Sequence, residues 1–399
     1  MKSARMRHVS SLGLSFAACA LAPMVWGQAA PPAPPPTAPV TVAAPATPPA
    51  PEPPKYPITT ISGFVEAAYH VSLDDSGNAG ALPFRAYDTA NGLQLHSAHL
   101  QVKHQATEHV AGQIEFEAGS DAAVNNVTHV AGQTSPTGQL FDVLEAFGTY
   151  SNSGITLTAG KFVTYEGIEV VPGPSNPTIT RGFLYFLAEP ITHVGAKLHY
   201  ATGPLDVGVG LVNGWDTHGT FYTSDNNNQK TIIFRAAATP SPMFFAAVSG
   251  TYGVEVPNAN VHPRLSLDLT GAVIPNDMIT INFQANYGSE KVVADTMGNT
   301  VDASWLGFGI QPLIKAGPLS LGARYEYFKD TKGSRTVGVG TLGNTDPSLM
   351  NFTITPGYTF DGAFTLRGEF RYDTASEQVF VNATQKHQST VAISAHYVF

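Results

Sequence analysis

Hydrophobic and polar residues alternate one by one over much of the chain, most clearly at its end. In residues 390–399, TVAISAHYVF, one side of an extended chain carries Val391, Ile393, Ala395, Tyr397 and Phe399. The other carries Thr390, Ala392, Ser394, His396 and Val398, because successive side chains of a strand point to opposite faces. The same period places Leu265, Leu267, Leu269, Gly271 and Val273 opposite Arg264, Ser266, Asp268 and Thr270. It recurs with Ile279, Ile281, Phe283, Ala285 and Tyr287, with Phe352, Ile354, Pro356, Tyr358 and Phe360, and with Phe364, Leu366, Gly368, Phe370 and Tyr372. Each stretch predicts a strand with one apolar face and one polar or small face. A soluble sandwich also alternates, but it does not usually set aromatics at strand ends or continue for so many strands.

The connections turn these strands into an architecture. Tight Gly, Pro, Asn and Asp turns are predicted at residues 105–108, 151–154, 202–204, 239–242, 275–277, 315–318 and 361–362, with the residue types that reverse a chain. Longer polar stretches fall between them at 72–91, 120–139, 163–189, 214–230, 255–262, 289–300, 329–347 and 374–387. Long and short connections alternate strictly, so the segment predicts sixteen strands with both ends on the short-turn side. An even strand number, short turns at one rim and long loops at the other describe an all-β, transmembrane, antiparallel up-and-down barrel. Sixteen strands enclose a water-filled channel rather than a packed interior. In residues 92–104, Leu93 and Leu95 fall out of phase with Ala98, Leu100 and Val102, and one β-bulge reconciles them.

Composition agrees. Charged residues make up 13% of the chain, about half the ~25% of soluble domains. Mean hydropathy is −0.02, as a barrel gives when apolar and polar residues alternate. Residues 1–29 predict a secretory signal, with basic Lys2, Arg5 and Arg7, an apolar stretch within 11–26 and a small-residue cleavage site at Gly27-Gln28-Ala29. Residues 30–57 form a Pro/Ala tract, predicted extended or disordered, and residues 58–399 form the barrel. Cys19 is the single cysteine, so a chain cleaved at Ala29 has no disulfide or thiol chemistry. Cleavage also removes three of the 21 basic residues, leaving 18 against 30 acidic ones. That balance argues against nucleic acid as a partner and leans toward cation preference in a channel.

The alternation points Glu66, His70, Glu115, Glu117, His193, Lys197, His199, Arg235, Arg264, Asp268, Arg324, Glu326, Arg367, Glu369, Arg371 and Asp373 toward the lumen. Both signs are present, predicting a transverse field and a sieve by size and charge. The longest connection, 163–189, reads VTYEGIEVVPGPSNPTITRGFLYFLAE and is apolar enough to fold inward. It would hang Glu166, Glu169, Arg181 and Glu189 in the opening, with Lys161 at its approach; the alternative is an ordinary outer loop. In strand order it is similar to the third long loop of general porins, which folds into the barrel. His96, His99, His104 and His109 suggest a metal cluster, but simple alternation puts His96 and His99 on opposite faces. No metal, cofactor or enzymatic motif is predicted; Gly-x-Ser-x-Gly and glycine-rich phosphate loops are absent from the sequence.

Three motifs carry a family resemblance: Ile61-Ser62-Gly63-Phe64-Val65-Glu66-Ala67, Leu144-Glu145-Ala146-Phe147 followed by Gly160-Lys161-Phe162, and Val212-Asn213-Gly214-Trp215. They resemble the outer-membrane barrel family called beta-barrel porin-2, or OmpL-like. The resemblance implies a passive channel for small hydrophilic solutes or ions, in contact with outer-membrane lipid. The final aromatics Tyr397 and Phe399 resemble the C-terminal signature that barrel-assembly machinery reads. Trimers are common among sixteen-stranded porins, so a homotrimer is one expectation. The competing reading is a plugged or narrow barrel serving as adhesin or envelope structure.

Overall fold

A computed structural model describes residues 55–399, apart from 75–81, 86, 89–90, 126–139, 216–226, 228, 256–261, 294–299 and 337–344. The expectations for the signal segment and nearly all of the Pro/Ala tract lie outside the described residues. Sixteen antiparallel strands follow one another around a closed barrel. They are β1 (Ile58–Ser72), β2 (Gly92–Gln105), β3 (Val110–Ala118), β4 (Phe141–Asn152), β5 (Ile155–Val163), β6 (Thr192–Thr202), β7 (Leu205–Val212) and β8 (Thr231–Ser241). The second half is β9 (Phe244–Val254), β10 (Pro263–Asn276), β11 (Ile279–Val293), β12 (Thr300–Ala316), β13 (Leu319–Thr331), β14 (Ser348–Phe360), β15 (Phe364–Ala375) and β16 (His387–Val398). Strand number and the alternation of short and long connections are as the sequence predicts.

Burial follows the period of two. On β16, Val391, Ile393 and Tyr397 are exposed on the outer wall, whereas Ala392, Ser394 and His396 are buried inside. Apolar side chains left exposed in this way on every strand would be untenable in water; lipid matches them. Among the described residues no helix is long and apolar enough to cross a membrane. At the short-turn rim, the rings of Tyr358, Phe360 and Phe364 follow at 4.6 and 6.1 Å, and Tyr397 and Phe399 stack at 6.1 Å. These aromatics sit where a headgroup girdle belongs.

The predicted bulge lies on β2. Glu66 pairs with Ser97 and the next residue, Ala67, with Leu95, which leaves His96 as the extra residue. A second bulge lies on β4, where Glu115 faces Glu145 and Phe116 faces Val143, and Leu144 turns inward and is buried. The barrel closes where β16 pairs with β1 from Phe64↔Val398 to Ser72↔Thr390.

Packing inside the barrel is denser than a water-filled channel implies. A short helix α1 (Ser120–Asn125) and the third long connection, residues 164–191, lie within it. That connection carries a 3-10 turn (Gly173–Ser175) and a π-helical turn (Leu184–Ala188). Phe183, Leu184 and Leu187 join Trp215, Trp305, Phe328, Leu349 and Phe380 in one apolar cluster. Tyr185 joins Tyr87, Leu144, Val171 and Ile191 in another.

Candidate functional site

The inner loop, residues 164–191, leaves β5 and reaches the far wall, where strand side chains hold its backbone. Glu369 on β15 accepts the Ile179 N–H at 2.6 Å and the Thr180 hydroxyl at 2.5 Å. Arg324 on β13 donates to the Thr180 carbonyl at 2.5 Å, the Thr178 hydroxyl at 2.9 Å and Glu169 at 2.8 Å. Arg367 donates to the carbonyls of Asn176 and Thr178 at 3.2 and 3.4 Å and to Glu66 at 2.5 Å. Arg371 donates to the Arg181 carbonyl at 2.6 Å, and Glu326 accepts the Phe183 N–H at 2.7 Å. Strand periodicity fixes which wall residues face inward. The irregular loop backbone, which has no ladder partners, supplies the groups they bond.

The loop does fold inward, but its charges do not hang in an opening. Glu166, Glu169, Arg181 and Glu189 are all buried. Glu166 accepts from Ser266 at 2.5 Å, Glu189 from Gln284 at 2.8 Å, and Arg181 donates to carbonyls of its own loop at Val170, Val171 and Ile179. The physical reason is desolvation: a polar group inside a filled lumen is stable only against a partner, which the wall supplies to the acids and the loop's own carbonyls supply to Arg181. Ile168, Val170, Pro172 and Pro174 keep partial exposure instead. Lys161 belongs to β5 rather than to the loop, 3.0 Å from Asp142.

Other inward residues are paired as well. Asp268 accepts the Gly167 N–H at 2.7 Å, Arg264 lies 2.6 Å from Glu290, and Asp373 joins Arg371 at 2.7 Å and Arg85 at 2.8 Å. The two signs therefore meet in direct contact and do not face each other across water, which departs from the expected transverse field. His70 bonds His96 through their Nε2 atoms at 3.0 Å, and His193 meets the Gly214 carbonyl at 3.0 Å. The bulge also corrects the assignment of His96 and His99 to opposite faces. Both are buried inside: His96 lies 3.0 Å from Asp121, and His99 lies 2.7 Å from Glu115 and 3.1 Å from Glu117. Among the described residues no three His, Cys, Asp or Glu are placed to hold a metal ion.

One side of the lumen is less sealed. Lys197, His199, Asp206 and Arg235, on β6–β8, keep partial exposure, as does Tyr165 at the start of the loop. The Tyr165 hydroxyl bonds His199, whose Nδ1 lies 3.1 Å from Asp206. Sequence reasoning missed Tyr165, Phe162 and the glycines Gly208 and Gly210. The Gly-x-Gly spacing, in phase with the inward face of β7, was the available signal.

Burial, with Asp268 beside it, pushes the Glu166 carboxyl up to about 8, and Glu189 is raised by the same causes. Between roughly pH 4.5 and 8 the folded chain then holds a proton that the unfolded chain has lost, so the loop's seat weakens as pH rises through that window. Amide exchange over residues 164–176 is expected to quicken from about pH 6 to about pH 9, beyond its intrinsic rise, and Glu166→Gln to flatten that excess. An equal excess in both proteins would assign the response to another group.

Residues 58–399 match the sequence model of a family described as beta-barrel porin-2, OmpL-like. A search of curated proteins returns no match. Among solved structures, the outer membrane channel DcaP of Acinetobacter baumannii superposes with a TM-score of 0.58 at 10% identity, covering 86% of this chain and 97% of that one. OprB of Pseudomonas putida gives 0.56 at 10% identity over 86% and 94%. The trimer form of OmpT, an outer membrane protein of Vibrio cholerae, gives 0.55 at 13% identity over 86% and 100%.

Proposed function

Because the chain belongs to the beta-barrel porin-2, OmpL-like family, we propose that it is a narrow channel whose path runs between the inner loop and the β6–β8 wall. The protein is a porin-type barrel of the bacterial outer membrane with passive channel function. The observation that carries the narrower reading is the uneven seat of the loop, held along β10–β15 and meeting β6–β8 at Tyr165. Arg324, Arg367, Glu369 and Arg371 are consumed in holding it, while Lys197, His199 and Arg235 keep partial exposure on the opposite side. The reading is of a channel for small solutes and not of an enzyme. A homotrimer is proposed with it. The outer faces of β2–β5 carry Ala98, Gly112, Ala118, Ala146, Gly148 and Ala159 among their larger apolar residues, and small residues let two outer walls approach closely.

A specific observation also favours a second reading. The cluster around Phe183, Trp305 and Phe380 is a dry core inside the barrel, as a plugged structural barrel would have. Planar-bilayer recording on the full refolded chain separates the two. The channel reading expects stepwise currents arriving in groups of three. A protein that inserts and never opens would favour the plug, and single isolated steps would count against the trimer.

A further inference from the structure

On β7 the inward positions Gly208 and Gly210 have no side chain, and neighbours from β6 and β8 lean over them, His199 over Gly208 and Lys197 with Ile233 over Gly210. A Cβ on Gly208 would stand 3.0 Å from the His199 ring. Lys197 stands on β6, two residues before His199, and Arg235 on β8 pairs with Gly208. Lys197 Nζ stands 4.1 Å from the centre of the Phe162 ring and 4.7 Å from that of Tyr165. Among the described residues no carboxylate lies within ion-pair distance of it. The Arg235 guanidinium sits 5.5 Å over Phe245, its Nε is 3.9 Å from Asp206, and its Nη2 is buried without an acceptor. The nearby acids are already engaged. Asp206 Oδ1 is taken by His199, and the two Glu145 oxygens are taken by Gln113 Nε2 and the Val163 N–H.

We propose that this patch of the lumen wall is an oxyanion subsite that takes small organic anions by their carboxylate, bonded by the Arg235 guanidinium and drawn in by the charge of Lys197. A carboxylate matches a guanidinium fork and supplies the acceptor that Nη2 lacks. The rings of Tyr165 and Phe245 offer an apolar body a surface beside the charge, which favours a carboxylate over a bare inorganic anion. The acidic excess of the chain does not oppose this, because carboxylates such as Glu66, Glu169, Glu369 and Asp373 are bonded to arginines or to loop N–H groups. The inference rests on the channel reading for its biological use, and expects anion preference where total charge alone suggests the opposite.

Benzoate and, in a second arm, inorganic phosphate are titrated calorimetrically into the full refolded chain, and reversal potentials are recorded in a potassium chloride gradient. Saturable benzoate binding is expected, at least tenfold weaker in Lys197→Gln/Arg235→Gln, together with an anion-preferring potential that the variant loses. Lys197→Met, which keeps the stem packed on Phe162, gives the same comparison should the double variant fail to fold. Phosphate binding alone would overturn the carboxylate assignment, and equal benzoate binding in wild type and variants would overturn the subsite even where current steps are present. Benzoate binding lost in the variants without any current steps would sink the channel reading and leave the subsite standing.

Discussion

A chain lacking Tyr397, Val398 and Phe399 is expected to give almost no closed barrel in the outer membrane. Phe64 and Val65 pair with Val398 and Tyr397, and Gly63 exchanges backbone hydrogen bonds with Phe399 at 3.1 and 3.0 Å. The truncation leaves the start of β1 without its partner at the point of closure. Each orphaned backbone group in lipid costs several kcal/mol, and there is no water to replace the bond. The glycine matters too: a Cβ on Gly63 would stand 2.7 Å from the Phe399 ring, so the ring lies over a position that only glycine leaves open. The aromatic end therefore has two separable roles, closing the ladder and presenting rings at the rim. Phe399→Ala keeps the backbone pairing and is expected to give intermediate recovery if assembly machinery reads the ring. Heat-modifiable migration on gels after membrane fractionation measures both. Recovery of the truncated chain at the full-length level would refute the closure argument.

The second large effect is expected from the inner loop's seat. Arg324→Ala removes donors to Glu169, Thr178, Thr180 and Asn351 and leaves Glu169 buried without its arginine. Breaking a buried pair on one side costs about 3–5 kcal/mol. The strand ladder is untouched by the change, so the loss should fall on the loop and not on the barrel. Single-channel conductance is expected to rise several-fold while heat-modifiable migration stays normal. Glu369→Gln should act in the same direction more weakly, since an amide still accepts from the Ile179 and Thr180 N–H groups. Arg324→Lys keeps the charge but loses the planar fork and should fall between wild type and alanine. Unaltered conductance in Arg324→Ala, with loop amides shown to exchange faster, would mean that the loop does not limit passage.

Much of this architecture is legible in the residues because a lipid-facing barrel imposes a period of two and alternating loop lengths. Even the β2 irregularity was visible, since Leu93 and Leu95 cannot share a face with Leu100 unless a residue is inserted. What periodicity does not carry is the identity of a distant partner. Glu169 is an exposed-looking acid in the sequence, and its arginine lies 155 residues away. The face of an irregular loop that meets the wall depends on such contacts, so Ile168 and Val170 were not recognised as its partly exposed side. His96 and His99 failed for a related reason: a bulge was expected, but its position, at His96 itself, is what lets both histidines turn inward.

Most bonds that seat the loop end on its backbone. The Ile179, Thr180 and Phe183 N–H groups and the Asn176, Thr178, Thr180 and Arg181 carbonyls are the groups the wall engages. Every amino acid except proline offers both groups, so this part of the grip is indifferent to the loop side chains that neither pair with the wall nor pack in the clusters. Mutational drift at Ile168, Val170 and Pro174 can therefore proceed without unseating the segment. The barrel is in that sense a socket: a segment grafted between β5 and β6 that kept Glu166, Glu169, Glu189 and the anchors Phe183, Leu184 and Leu187 would inherit the same attachment and bring a new inner surface with it.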